Sequence, residues 1–217
     1  AEELQRQVLE TRTVVLGKDH PDTLRSMNNL ASTYRDQGHF NQAEELQRQV
    51  LETSKIVLGK DHPDTLRSMN NLASIYHAQG HFSQAEELRR QVLETRTVVL
   101  GKDHPDTLAS MNNLASTYHA QGHFNQAEEL QRQVLETCTA VLGKDHPDTL
   151  RSMNNLASTY HAQGHFNQAE ELQRQVLETR TVVLGKDHPD TLTNMNNLAS
   201  TYHAQGHFNQ AEELRRQ

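Results

Sequence analysis

The sequence predicts an all-α protein, a solenoid of antiparallel helix-turn-helix hairpins. First, the phrase GKDHPDTL begins at Gly17, Gly59, Gly101, Gly143 and Gly185, each 42 residues after the one before. Second, apolar residues recur within each repeat at steps of three and four, as in amphipathic helices. Third, glycine and proline punctuate this pattern at fixed places, as expected where helices end and begin.

The repeat predicts one array rather than several domains, because each repeat contacts mainly its neighbours. We expect a single array over residues 1–217, with partial repeats at 1–20 and 189–217 and full repeats at 21–62, 63–104, 105–146 and 147–188. Both terminal hairpins are incomplete, so we expect the chain to be a segment of a longer protein. The single cysteine, Cys138, stands where other repeats carry Arg12, Arg96 or Arg180, which indicates a neutral substitution rather than a disulfide.

The first helix of each hairpin, helix A, is predicted over residues 63–79 of the second full repeat. Pro63 suits a first helical position, Asp64 suits the first turn, and Gly80 ends the helix. His62 is expected to shape the loop or cap the helix. The predicted core stripe is Leu66, Met69, Leu72, Ala73 and Tyr76.

The second helix, helix B, is predicted over residues 82–100 and ends before Gly101. Its predicted core stripe is Phe82, Ala85, Leu88, Val92, Leu93 and Val99. Gln131, in a later helix B, is interpreted as a surface residue.

Six of these residues follow the spacing of the tetratricopeptide signature: Leu72, Ala73, Tyr76, Gly80, Phe82 and Ala85. The 42-residue length, the LGKDHPDT loop and the NNLA segment resemble the kinesin light chain variety of that family, which also occurs in sensor arrays of fungal and bacterial nucleotide-binding proteins. The resemblance implies an open right-handed superhelical solenoid that binds proteins or peptides. Two departures are Met69, which replaces a common Trp, and a polar residue at an often aromatic helix B position: Gln47, Arg89, Gln131, Gln173 or Arg215. The cargo specificity of kinesin light chains is therefore not carried over.

The resemblance also implies that helix A lines the concave face, which places a polar ladder there. Its members are Arg25, Asn28, Ser32 and Arg35; Arg67, Asn70, Ser74 and His77; Asn112, Ser116 and His119; Arg151, Asn154, Ser158 and His161; and Asn196, Ser200 and His203. Regularly spaced Asn amides can hold the backbone of an extended peptide, and Arg and His favour an acidic partner. A merely solvated helix face is the alternative.

Several other functions are disfavoured by composition. With 28 acidic residues against 21 Lys and Arg, and no basic cluster, nucleic-acid binding is not expected. No apolar run is long enough to span a bilayer, and no signal segment opens the chain, so we expect a soluble cytoplasmic protein without membrane contact.

No enzyme, metal or cofactor site is expected either. The histidine pairs, such as His77 and His81, have ligand-like spacing, but Gly80 interrupts the helix between them and no third ligand is nearby. Adjacent carboxylates such as Glu86 and Glu87 belong to a solvated helix face, and no nucleophile, base and orienting group converge.

Two functions are therefore carried forward. One is a groove on helix A that binds an extended partner segment. The other is a structural module that self-associates head-to-tail through the incomplete terminal repeats, with apolar residues such as Val8, Leu9 and Phe208 at the ends.

Overall fold

A computed structural model describes residues 2–216, and these form eleven α-helices with no strand. The helices are α1 (Glu2–Leu16), α2 (Pro21–Asp36), α3 (Phe40–Val57), α4 (Pro63–Ala78), α5 (Phe82–Leu100), α6 (Pro105–Ala120), α7 (Phe124–Leu142), α8 (Pro147–Ala162), α9 (Phe166–Leu184), α10 (Pro189–Ala204) and α11 (Phe208–Arg216). Even-numbered helices are helix A of a hairpin and odd-numbered helices are helix B. The predicted all-α repeat fold is confirmed.

Helix A begins at the proline because the residue before it caps the helix. In α4, the Nδ1 atom of His62 accepts a hydrogen bond of 3.2 Å from the backbone N–H of Asp64. The hydroxyl of Thr65 donates to the carbonyl oxygen of Gly59 at 2.8 Å, which fixes the preceding loop. The capping role expected for His62 is confirmed.

The turn from helix A to helix B depends on glycine. Gly80 has φ +79°, a left-handed conformation that costs glycine little and other residues more. The backbone N–H of His81 then bonds to the carbonyl of Tyr76 at 2.8 Å, which closes the end of α4 and turns the chain back. The predicted end of helix A differs from the observed one by a single residue.

The core lies between helices of the same hairpin and of neighbouring hairpins. Leu66, Leu72 and Tyr76 of α4 pack with Val92 of α5 and with Leu51 of the preceding helix B. A hairpin thus buries its apolar stripe only when its neighbours are present, as expected for a repeat protein.

One part of the predicted core is wrong. Val99, assigned to the stripe of helix B, is exposed, as are Val98 and Leu100. Helix α5 has 19 residues whereas α4 has 16, so we attribute the exposure to a last turn of helix B that extends past its partner helix.

By its contacts, the chain divides into two compact units, one up to Thr117 and one from Tyr118 onward. Each unit consists of the same kind of hairpin, with consecutive helices packed in pairs. None of the helices between residues 2 and 216 is long and apolar enough to cross a membrane.

Candidate functional site

The first row of the predicted ladder contains exposed arginines that are already paired. Arg25, Arg67 and Arg151 each lie 2.9 Å from the aspartate three residues earlier in the same helix. Exposed pairs of this kind are worth little in stability, and the guanidinium groups can exchange partners at small cost. They are accessible to an acidic ligand.

The asparagine row lies deeper and takes part in bonds between hairpins. Asn70 accepts a hydrogen bond at its Oδ1 from the Nδ2 of Asn113, at 3.1 Å. Asn28 is only 8% exposed, and its Oδ1 accepts from Gln47 at 2.7 Å and from Asn71 at 3.3 Å. The sequence prediction placed these amides on a binding face but did not foresee that their oxygens join neighbouring hairpins.

The other three members of this row, Asn112, Asn154 and Asn196, have different surroundings. Asn154 accepts from the Nδ2 of Asn194 at 2.6 Å, and Asn196 is exposed. In Asn112, the Oδ1 atom is buried and has no hydrogen-bond partner. A buried acceptor without a donor costs free energy, so this oxygen would gain from a ligand or a water molecule that donates to it.

The serine row becomes more accessible along the chain. Ser32 and Ser74 are half-buried, whereas Ser116, Ser158 and Ser200 are exposed. The hydroxyl of Ser74 donates to the carbonyl of Asn70 in its own helix at 2.9 Å.

In the last row, the histidines pack against the turn of their own hairpin. The ring of His77 meets Phe82 edge to face, with centroids 5.2 Å apart, and His119 and His161 repeat this contact with the next phenylalanine. Their Nε2 atoms are buried without a hydrogen-bond partner. His203 is exposed, and Arg35, which takes the histidine position in α2, pairs with Asp36.

The pKa of His77 is lowered from its usual value. Burial of the ring is the main cause, and the positive charge of Arg89 adds to it, while a hydrogen bond with the backbone of Ser116 opposes the shift. His77 therefore stays neutral to a lower pH than an ordinary histidine.

Arg89 is the feature of the site that the sequence prediction missed. It lies on helix B, is 6% exposed, and donates from Nη1 to the carbonyl of Asn113 at 2.7 Å and to the hydroxyl of Thr117. Its Nε is buried without a partner, and no carboxylate within residues 2–216 forms an ion pair with it. Burial lowers its pKa to about 10, so it remains a cation at neutral pH.

The same helix B position is buried in other hairpins, where it carries glutamine. Gln47, Gln131 and Gln173 are all buried, so the interpretation of Gln131 as a surface residue was wrong. Gln47 shows the reason, because its Nε2 donates to Asn28 of its own hairpin and to the carbonyl of Ser68 in the next one. Polarity at this position reflects bonds between helices rather than contact with solvent.

The comparisons with known proteins agree with the repeat fold. The family model described as tetratricopeptide repeat matches residues 1–22, 23–64, 65–106, 107–148, 149–190 and 191–217. The chain belongs to the tetratricopeptide repeat family. Each matched repeat begins two residues after the boundary that we predicted. In the first full repeat, for example, the match starts at Thr23 and the predicted repeat at Pro21.

Solved tetratricopeptide structures share the fold. The nearly identical TPR-like repeats of a kinesin light chain-like protein from Podosopora anserina are 36% identical and cover 91% of this chain and 93% of that one, with a TM-score of 0.79. A variant of those repeats with a Gln-to-Met substitution has the same identity and coverage and a TM-score of 0.81. BtubC (BKLC) from P. vanneervenii, at 23% identity, covers 98% of this chain and 83% of its own, with a TM-score of 0.76, and shows the fold alone. Among curated proteins, none matches this chain.

The predicted resemblance to kinesin light chain-like tetratricopeptide repeats is thus confirmed. Proteins of this fold are scaffolds that generally act through protein interactions. The described residues 2–216 contain no group of three or more His, Cys, Asp or Glu side chains arranged to hold a metal ion.

Proposed function

We propose that this tetratricopeptide array is a non-enzymatic scaffold that binds an extended, acidic segment of a partner protein along its helix A ladder. The ladder residues named in the sequence analysis are the proposed contacts. Two features support this function: the asparagine amides, which would hold the peptide backbone, and the cations, which would select its charge.

The asparagine geometry supports backbone recognition. Because the Oδ1 of Asn70 already accepts a bond from Asn113, the amide plane is fixed and its Nδ2 becomes the main group available to a ligand. A fixed donor loses little conformational entropy on binding. An extended peptide, which presents carbonyl oxygens at regular spacing, matches a row of such donors.

The buried cation carries the preference for an acidic partner. Arg89 has no carboxylate counterion among the described residues, and it lies close enough to lower the pKa of His77. A buried charge without a counterion is costly, so an acidic side chain that approaches this hairpin gains more than it would at an exposed arginine. This is the single observation on which the acidic preference depends.

A peptide-binding measurement on matched variants tests the proposal. Peptides selected from a library of extended acidic sequences are titrated against the native chain, Asn70→Ala and Asn112→Ala. Loss of one hydrogen bond should weaken binding by roughly 2- to 12-fold for each variant, whereas Gln133→Ala, on an exposed face of helix B, should have no effect. Equal affinities for all four proteins would show that helix A does not hold the peptide.

The acidic preference has its own test, Arg89→Gln. Glutamine occupies the equivalent position at Gln47, Gln131 and Gln173, so the fold tolerates it. The variant should bind an Asp-containing peptide more weakly but bind the Asn version of that peptide as well as before. If both peptides lose affinity equally, Arg89 acts through the fold and not through charge.

The pH profile is a further check. Affinity for the acidic peptide should rise as the pH falls from about 7.5 to 6 and should fall in high salt. Because the pKa of His77 is lowered, its share of the rise should come late in that range or below it. Replacing His77, His119, His161 and His203 by Gln should flatten the profile, and an unchanged profile would remove the histidines from the proposal.

A further inference from the structure

A cluster of exposed apolar residues lies at the C-terminal end of each B helix from α1 to α9. We call these clusters the helix B ridges. They comprise Val14, Val15 and Leu16 in α1; Ile56 and Val57 in α3; Val98, Val99 and Leu100 in α5; Val141 and Leu142 in α7; and Val182, Val183 and Leu184 in α9. Their side chains are between 40 and 82% exposed, which makes them the most prominent apolar surface of each unit.

A groove lies beside the ridge in each of the two units, at equivalent positions. In the first unit it has a volume of about 540 Å³, with Leu66 and Met69 in its lining together with Val98 and Val99 of the ridge. In the second unit the corresponding groove has a volume of about 420 Å³ and the equivalent lining residues, Leu150, Met153, Val182 and Val183. Since the same groove forms twice from the same motif, it is a feature of the repeat and not of one irregular loop.

Each groove carries charges of both signs beside its apolar lining, namely Lys55, Lys60, Asp61 and Glu94 in the first unit and Lys144, Asp145 and Glu178 in the second. Lys60, in the loop before α4, and Glu94, on α5, line the groove of the first unit, and Lys144 and Glu178 take these places in the second. Neither Lys60 nor Glu94 forms an ion pair within the part of the chain that the structure describes. Both charges can therefore pair with another molecule.

We propose that the helix B ridges dock a second copy of this chain in an antiparallel, two-fold arrangement. The ridge of each copy would enter the groove of the other. Glu94 of each copy would then face Lys60 of the other copy, which gives two equivalent pairs. A two-fold interface requires a surface that is complementary to itself, and a groove that carries a base in its loop and an acid on its helix meets that requirement.

The spacing of the ridges also favours a second copy as the occupant. The first unit presents ridges on three B helices that recur every 42 residues along the chain, in α1, α3 and α5. Another copy of the array carries the same ridges at the same spacing and can meet all of them at once. Simultaneous contacts raise the overall affinity beyond that of a single ridge.

The area agrees with a dimer interface. A fully exposed Val, Leu or Ile side chain presents roughly 60–120 Å² by the usual transfer scale, so the ridges of the first unit offer roughly 300–600 Å² of apolar surface. A standard interface buries about 800 Å² per partner, of which a little over half is apolar. The ridges of one unit thus supply about the apolar area that a stable dimer needs.

Sedimentation of the intact chain over a wide concentration range tests the proposal. We expect a reversible transition from 24.7 kDa to twice that mass, with no larger species. A variant with Val14, Ile56, Val98, Val141 and Val182 replaced by Gln should dimerise at least about 10-fold more weakly. These side chains are largely exposed, so circular dichroism should show unchanged helical content. A native chain that stays at 24.7 kDa, or one that grows beyond two copies, would overturn the proposal.

Charge reversal tests the orientation. The variant with Lys60 and Lys144 changed to Glu, and the variant with Glu94 and Glu178 changed to Lys, should each be monomeric alone because like charges then face each other. A 1:1 mixture should restore the dimer, since both new pairs are opposite in charge. If the mixture stays monomeric, or if either variant dimerises alone, the antiparallel arrangement is wrong.

These outcomes are separate from those for peptide binding. The Gln-substituted ridge variant should bind acidic peptides as the native chain does, and Asn70→Ala should dimerise as the native chain does. Loss of both functions in one variant would indicate damage to the fold.

Discussion

Asn113 donates a hydrogen bond from Nδ2 to the Oδ1 of Asn70, 3.1 Å away, and this bond joins helix A of one hairpin to helix A of the next. The Asn71–Asn28 bond repeats the relationship one hairpin earlier, at 3.3 Å. In both cases the second asparagine of the NNLA segment donates to the first asparagine of the preceding segment. At these two junctions the segment therefore joins neighbouring hairpins and orients the amides of Asn28 and Asn70.

Removing this donor should destabilise the array modestly. Asn113→Ala leaves the Oδ1 of Asn70 without its partner, which should lower the free energy of unfolding by about 0.5–1.5 kcal/mol. Asn29→Ala is the matched control because Asn29 occupies the same motif position but is exposed, and its effect should stay within about 0.5 kcal/mol. Urea denaturation of the two variants measures the difference, and equal midpoints would show that the bond contributes nothing.

Cys138 marks a position where the chain has lost a contact. Arg96, at the equivalent position, donates from Nη1 to the carbonyl of Asp106 and the hydroxyl of Ser110, both at 2.9 Å. Cys138 has only a weak contact of 3.9 Å with Ser152. The neutrality of this substitution stays a prediction, and the missing contact provides a way to test it.

Restoring the arginine should stabilise the protein. Cys138→Arg is expected to raise the free energy of unfolding by about 1 kcal/mol, because hydrogen bonds from a charged group are stronger than those of a thiol and the equivalent Arg96 is half-buried. Arg96→Cys should lower it by a similar amount. The two melting temperatures provide the measurement, and a shift of the same sign in both variants would contradict the explanation.

Core truncation should be far more costly than a surface change. Leu114 is buried, so Leu114→Ala should cost about 2–5 kcal/mol. Gln133→Ala serves as the exposed control in place of Gln131, which the structure shows to be buried. Denaturation midpoints that do not differ would mean that Leu114 is not part of the core.

His77 should make stability depend on pH. Its pKa in the folded state is lowered, first by burial and then by Arg89, so below about pH 6.5 the unfolded state binds more protons than the folded state. The stabilisation is present above about pH 6.5 and is lost as the pH falls through the folded-state pKa. Urea midpoints between about pH 7.5 and 4.5 should therefore fall less steeply for His77→Gln than for the native chain. His203→Gln is the control, since His203 is exposed, and its profile should follow that of the native chain.

The sequence alone was sufficient to predict where the helices begin and end. The proline, the preceding histidine and the left-handed glycine act within a few residues of the chain, so their effect on Pro63–Ala78 and Phe82–Leu100 can be worked out locally. Apolar periodicity likewise identified Leu72, Tyr76 and Val92 as core residues, because it reflects which face of a helix is buried.

Only the tertiary structure decided whether the residues at the ends and junctions of that pattern are buried or exposed. Val99 follows the apolar period but is exposed because no neighbouring helix covers the last turn of α5. Gln131 interrupts the apolar period but is buried, and Gln47 at the equivalent position bonds to the next hairpin. Periodicity describes one helix, whereas burial depends on how far the neighbouring helix extends and which polar groups it offers. For this protein, the sequence determined the hairpin and its repetition, and packing between hairpins decided which polar side chains serve the fold and which apolar ones remain on the surface.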